Sequence, residues 1–184
     1  MILPIYIYGQ PVLRKVAQDV ELNKAELEPL IADMFATLEV SEGVGLAAPQ
    51  IGKAIRVVVV DLSMLGEEMP EYKDFRHAYI NGRILESSVE TDTMSEGCLS
   101  LPGITEDVTR PQRVRIEYYD ENLEPHDEWV DGFLARVLQH EHDHLEGHVF
   151  TDRISPFRRT MLKGKLGAFL KGKARCHYKV KTVR

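Results

Sequence analysis

The chain has 184 residues, 43% of them hydrophobic and 28% charged, with a formal net charge of −6. A chain of this length buries well over half of its unfolded surface without disulfides or a structural metal, so one catalytic-sized domain over residues 1–184 is expected. No apolar run approaches the roughly 20 residues that span a bilayer, so a membrane partner is not expected.

The N-terminal MILPIYIYG lacks the basic region and long apolar core of a signal peptide and the Arg/Ser bias of a transit peptide, which makes the cytoplasm the expected compartment. Cys98 and Cys176 accordingly read as free thiols. The charge is unevenly spread: 11 of the 23 Lys and Arg fall after Asp152, where there is no acid, leaving 12 against 29 acids before it. A basic segment from about residue 153 suits a polyanion such as RNA, or simply neutralises the acidic body. No DNA partner is expected.

In chain order, Asn23 followed by Glu26 marks a helix start with capping-box logic. Leu27, Leu30, Ile31, Met34, Phe35 and Leu38 then recur at helical spacing, for about four turns ending before Gly43. Gly43–Gln50, with two glycines and small neighbours, reads as a loop that something approaches closely. A β-rich run covers Ile55–Val60, and Leu62–Phe75 reads as an irregular surface excursion. Short strands are expected at Ala78–Ile80, Arg83–Glu90, Val114–Tyr119 and Glu128–Val130, with Asp120-Glu121-Asn122 turning the last two. Asp131 caps a helix running to Gly147, and an amphipathic helix is expected over Pro156–Leu170. Few helices and several hairpin-linked strands define an α+β fold with mostly antiparallel sheets packed around the 131–147 helix, and with further N-terminal and C-terminal helices.

That central helix carries H-E-x-x-H as His140, Glu141 and His144. Residues four apart lie one above the other, so both imidazoles can reach one ion while Glu141 addresses the water it activates. His142 is expected at the surface, and Asp143 as an acceptor behind a ligand or as a solvated residue. The longer motif ending in a third His fails, because Phe150 stands at that position. No Glu follows Glu146, leaving only Asp152 and His148 as weak downstream donors. Upstream, Cys98 in Glu96–Gly103 offers a thiolate from a loop, and two His with one Cys leave a fourth position open, the mark of a catalytic site. A zinc-type endopeptidase and a non-catalytic metal-binding protein remain the rival readings.

Three segments, Gly43–Gln50 (G-x-G-L-A-A-P-Q), Glu96–Ser100 (E-G-C-L-S) and Gln139–Gly147 (Q-H-E-x-D-H-L-x-G), together resemble the peptide deformylase family. These hydrolases remove the formyl group from the N-terminal methionine of new bacterial chains. Gly9–Arg14 also looks like the family's opening, so the resemblance covers about residues 5–155. It implies that Cys98, His140 and His144 bind the metal, that Glu141 is the general acid/base, and that Gln50 with the backbone N–H of Leu99 forms the oxyanion hole. It also implies Fe2+ as the native ion, with Ni2+ or Co2+ able to replace it and Zn2+ a poorer substitute. N-formylmethionyl nascent peptides would be the substrates, contacting Val44, Gly45 and Gly97. Val44, Glu96, Phe133 and Val137 would line the methionine pocket, and Phe133 and Val137 serve equally well as plain core. Arg110 is expected to pair with Glu96. Some family members dock their C-terminal helix on the ribosome, for which Arg158, Arg159, Lys163 and Lys165 are suited.

Overall fold

The computed structural model describes residues 1–184. A five-stranded antiparallel sheet in the order β2 (Gly45–Ala47), β3 (Val57–Asp61), β4 (Arg76–Ser87), β7 (Val114–Tyr119) and β8 (Pro125–Val130) forms its centre. The run of four valines in β3 explains how two helices attach to this sheet. Side chains alternate faces along a strand, and here both faces are covered. Val57 and Val59 pack with Leu27, Ile31, Met34, Phe35 and Leu38 of α1 (Lys24–Ser41). Val58 and Val60 pack with Ala135, Val137, Leu138 and Leu145 of α2 (Gly132–Leu145).

Two smaller pairings complete the fold. β5 (Thr91–Cys98) and β6 (Leu101–Pro111) form a long hairpin, and β1 (Ile5–Tyr6) pairs in parallel with β9 (Val180–Lys181) at the far end of the chain. Ile104 and Val108 of β6 join Leu162, Leu166 and Phe169 of α3 (Pro156–Leu170) in a third core. The mostly antiparallel sheets pack against α2, in agreement with the α+β expectation, while α1 lies across the five-stranded sheet from it.

Several boundaries differ from those expected. The strands foreseen at 78–80 and 83–90 are the single strand β4, interrupted by a register shift between Ile80 and Arg83. Asn81 takes a left-handed conformation there (φ 53), and its side-chain amide brackets the backbone N–H and C=O of Val20 at 2.9 Å each. Asn-Gly therefore marks a bulge rather than a chain reversal. The hairpin β5–β6 was not foreseen, because the inward positions of β6 alternate apolar Ile104 and Val108 with charged Glu106 and Arg110, all buried. Arg158 and Glu96 neutralise those charges, so a buried face carries no apolar period of two. Asn23 caps α1 by accepting from Ala25 N–H at 3.1 Å, while Asp131 stands before α2 with no capping bond from its side chain. The 62–75 excursion consists of two short 3-10 turns, Ser63–Leu65 and Pro70–Tyr72.

Candidate active site

The three motifs lie on different elements and meet at one cavity of about 500 Å3. α2 supplies one wall through Phe133, Val137, His140 and Glu141; the entry to β2 supplies Val44 and Gly45; the end of β5 and the turn after it supply Glu96, Gly97, Cys98 and Leu99. Cys98, expected in a loop, is the last residue of β5.

One donor atom each of Cys98, His140 and His144 lies within 4.8 Å of the others. Cys98 Sγ stands 3.3 Å from His144 Nε2, and His140 Nδ1 stands 2.8 Å from Glu96 Oε1. An ionised carboxylate only accepts, so His140 Nδ1 carries a hydrogen, which leaves Nε2 as the ring atom that would face an ion. Burial pushes the Cys98 thiol up, but the imidazoles of His144 and His140 outweigh burial and bring it down to about 5, which makes the sulfur a thiolate at neutral pH. One soft thiolate and two imidazoles converging within this span fit a divalent ion with one position left for a reacting molecule. His148 and Asp152, the weak downstream candidates, are not part of the group.

Glu141 is buried beside these donors, and its Oε2 has no partner in the protein. Burial raises its pKa against the opposing pull of His140 and His144. The close approach expected at Gly43–Gln50 is made by this carboxylate: a Cβ on Gly45 would lie 2.5 Å from Glu141 Oε1. Glycine is needed at this position for contact, since its backbone needs no left-handed conformation.

Gln50 is fixed from both ends. Its Oε1 accepts from Ala47 N–H at 2.9 Å, which turns Nε2 towards Ser100 Oγ at 3.2 Å and Cys98 Sγ at 3.5 Å. The N–H of Leu99 has no acceptor in the protein.

Behind the donors lies a buried ionic network. Arg110 grips both oxygens of Glu96 at 2.7 and 2.9 Å, the pairing expected from sequence. It also donates to Asp143 at 2.9 Å, and Arg153 closes on the same Asp143. Arg136 adds a further bond to Glu96 at 2.8 Å. Burial pushes Glu96 up, yet Arg110 and His140 hold it well below the usual carboxylate range. Glu96 thus lines the cavity while its carboxylate is turned into this network. Phe133 and Val137 also line it and pack with the core beneath.

His142 corrects the expectation of a surface residue, for it is 4% exposed. Its Nδ1–H donates to Leu138 O at 2.7 Å, and room for its ring exists only because Gly82 has no side chain, a Cβ there falling 2.5 Å from Nε2. Burial brings this imidazole down to about 4, so it is neutral. Sequence reasoning also missed Arg136, which stands one helical turn before His140 and was legible from that spacing. It missed Arg175–Tyr178 as well, which line the cavity without any local motif to announce them.

The fold and these residues define a hydrolase site built on a Cys/His/His donor set with a buried carboxylate beside it. Comparison with known proteins narrows the class. The Polypeptide deformylase family model matches residues 2–160. The chain is 45% identical to a peptide deformylase of Flavobacterium psychrophilum, covering 100% of this chain and 98% of the relative, and 44% identical to one of Christiangramia forsetii, covering 98% and 96%. Among solved structures, a peptide deformylase from Legionella pneumophila superposes with a TM-score of 0.81 at 37% identity, covering 96% of this chain and 99% of that one. One from Synechococcus elongatus in complex with actinonin gives 0.80 at 36%, covering 97% and 92%. The chain belongs to the polypeptide deformylase family. It is a metal-dependent hydrolase that removes the formyl group from nascent peptides, and the endopeptidase reading is not supported. No helix is long and apolar enough to cross a membrane.

Proposed function

We propose that Cys98, His140 and His144 hold the divalent ion and that Glu141 is the general acid/base of deformylation. The observation that carries this reading is the unpartnered, buried Oε2 of Glu141 beside three convergent donors. A divalent ion in such a site lowers the pKa of bound water towards about 7 and polarises a carbonyl. Glu141 takes a proton from the attacking water and later delivers it to the departing amine nitrogen, the two roles one carboxyl of raised pKa can alternate between. Gln50 Nε2 and Leu99 N–H donate to the oxygen of the formyl group as it gains charge. The products are formate and a free N-terminal amine.

The extended substrate lies along Val44, Gly45 and Gly97, and the methionine side chain enters a pocket lined by Val44, Glu96, Phe133 and Val137. We further propose Fe2+ as the working ion, with Ni2+ or Co2+ able to replace it and Zn2+ a poorer substitute; the support is the family resemblance, since one thiolate with two imidazoles equally suits zinc. The chain acts as one catalytic domain over 1–184, in the cytoplasm, with a basic C-terminal segment from about 153 reaching ribosomal RNA. Of the four cations suited to that contact, Arg158 is engaged with Glu106 at 2.8 Å and Arg159 with the Asp152 carbonyl at 2.9 Å, while Lys163 and Lys165 are exposed and free of ion pairs. Co-sedimentation with ribosomes should fall on Lys163→Glu/Lys165→Glu, and unchanged co-sedimentation removes the ribosome contact. The catalytic reading is tested by anaerobic assay of Cys98→Ala and Glu141→Gln on formyl-Met-Ala: both should lose turnover, the first with loss of metal and the second with metal retained.

A further inference from the structure

The last stretch of chain returns to the active site. β9 is tied to β1 by Ile5 N–H donating to Lys179 O at 2.9 Å and Ile7 N–H to Lys181 O at 3.0 Å, and Gln10 Nε2 donates to Thr182 O at 2.6 Å. Ile5 and Ile7 are fully buried, so this anchor is firm. Immediately before it, exposure alternates along the chain: Arg175 and His177 face outward, Cys176 and Tyr178 inward. The Tyr178 hydroxyl donates to the Leu99 carbonyl at 2.8 Å.

That bond matters because of where Leu99 sits. Leu99 and Ser100 form the turn between β5 and β6, beyond a register shift between Gly97 and Cys98, so the strand ladder does not hold them. Ser100 is fixed independently, its carbonyl accepting from Tyr8 N–H at 2.8 Å and its hydroxyl from Gln50 at 3.2 Å. The Leu99 carbonyl has no protein donor other than Tyr178. The Leu99 carbonyl lies in the peptide that follows the Leu99 Cα and its N–H in the peptide that precedes it, so the bond from Tyr178 restrains the N–H through that shared Cα, by fixing the dihedrals of Leu99.

We propose that Tyr178 is a positioning residue for deformylation: its hydroxyl, held in place by the β1–β9 pair, fixes Leu99 so that the Leu99 N–H points at the formyl oxygen. The inference rests on the reading of Gln50 and Leu99 N–H as the donors to that oxygen. Misplacement of a catalytic group by an ångström can cost as much as about 100-fold in rate, and removal of one hydroxyl should cost about tenfold.

The test is steady-state hydrolysis of formyl-Met-Ala by the full-length, iron-loaded enzyme as wild type, Tyr178→Phe and Gln50→Ala, with thermal midpoints measured alongside. In Tyr178→Phe, kcat should fall about tenfold while KM stays at its wild-type value and the midpoint falls only by the small amount that loss of one hydrogen bond gives. An unchanged kcat, with or without a raised KM, would reduce Tyr178 to packing and overturn the proposal. Loss of kcat in Gln50→Ala with none in Tyr178→Phe also overturns it, leaving the reading of the oxygen-binding donors intact. Unchanged kcat in Gln50→Ala overturns that reading and the proposal with it.

Discussion

Glu141 and Gly45 show how closely single atoms set this site. The carboxylate is buried, with one oxygen against the backbone of Gly45 and the other unpartnered, so its work depends on a proton and on its place. Glu141→Gln keeps the shape and removes the proton transfer. Deformylation should fall by about 100- to 10,000-fold, with metal content by elemental analysis unchanged. Gly45→Ala asks the complementary question, since the new methyl group would displace the Glu141 carboxylate rather than remove it. At least a 100-fold loss of kcat is expected by about ångström displacement, with the protein still folded by circular dichroism; near wild-type kcat would show that the carboxylate has room to move.

At the scale of elements, the hairpin β5–β6 is bound to α2 by charge. Arg110 is 2% exposed and joins Glu96 on β5 to Asp143 on α2. Taking one partner out of a buried pair leaves an uncompensated charge and costs about 3–5 kcal/mol. Arg110→Met should sit near the lower end, because Arg136 still reaches Glu96 and Arg153 still reaches Asp143. Urea unfolding measures the loss, and metal affinity should drop about 10- to 100-fold, because Glu96 sets the orientation of His140. These charges also explain what sequence could reveal. α1 and α3 were legible from apolar spacing and from Asn23 and Pro156, and the donor set from His140, Glu141 and His144 with a thiol upstream. The hairpin was hidden because Glu106 and Arg110 occupy inward positions where a strand ordinarily shows apolar residues. His142 was misplaced because α2 is enclosed on every side from Ala135 to Leu145, a condition set by Gly82 on a distant strand.

Across the whole molecule, contacts between residues far apart in sequence close the structure around α2. The parallel pair β1–β9 brings the C-terminal segment to the cavity, and no local pattern in residues 171–184 could announce a partner at Ile5. Arg14 and Asp152 make a similar long-range tie, from the N-terminal segment to the chain leaving α2. Burial pushes the Asp152 carboxyl up, but Arg14 and the N–H of Val149 outweigh it and hold the group below its ordinary value. A carboxylate depressed on folding adds stability that is complete above its unfolded pKa of about 3.9 and vanishes as pH falls through the lower folded value. Wild type should therefore exceed Asp152→Asn in urea unfolding at neutral pH, with the two curves converging as pH falls through the depressed value of Asp152; a constant gap would assign the difference to something other than this charge. The most direct measurement of the central claim is formate release by the iron-loaded protein, purified without oxygen, from formyl-Met-Ala, with acetyl-Met-Ala and an internal-bond peptide as controls. Turnover of the formyl substrate alone, lost in Glu141→Gln at unchanged iron content, is the expected result. Absence of formyl turnover from protein holding one equivalent of iron, or full turnover in Glu141→Gln, would contradict it.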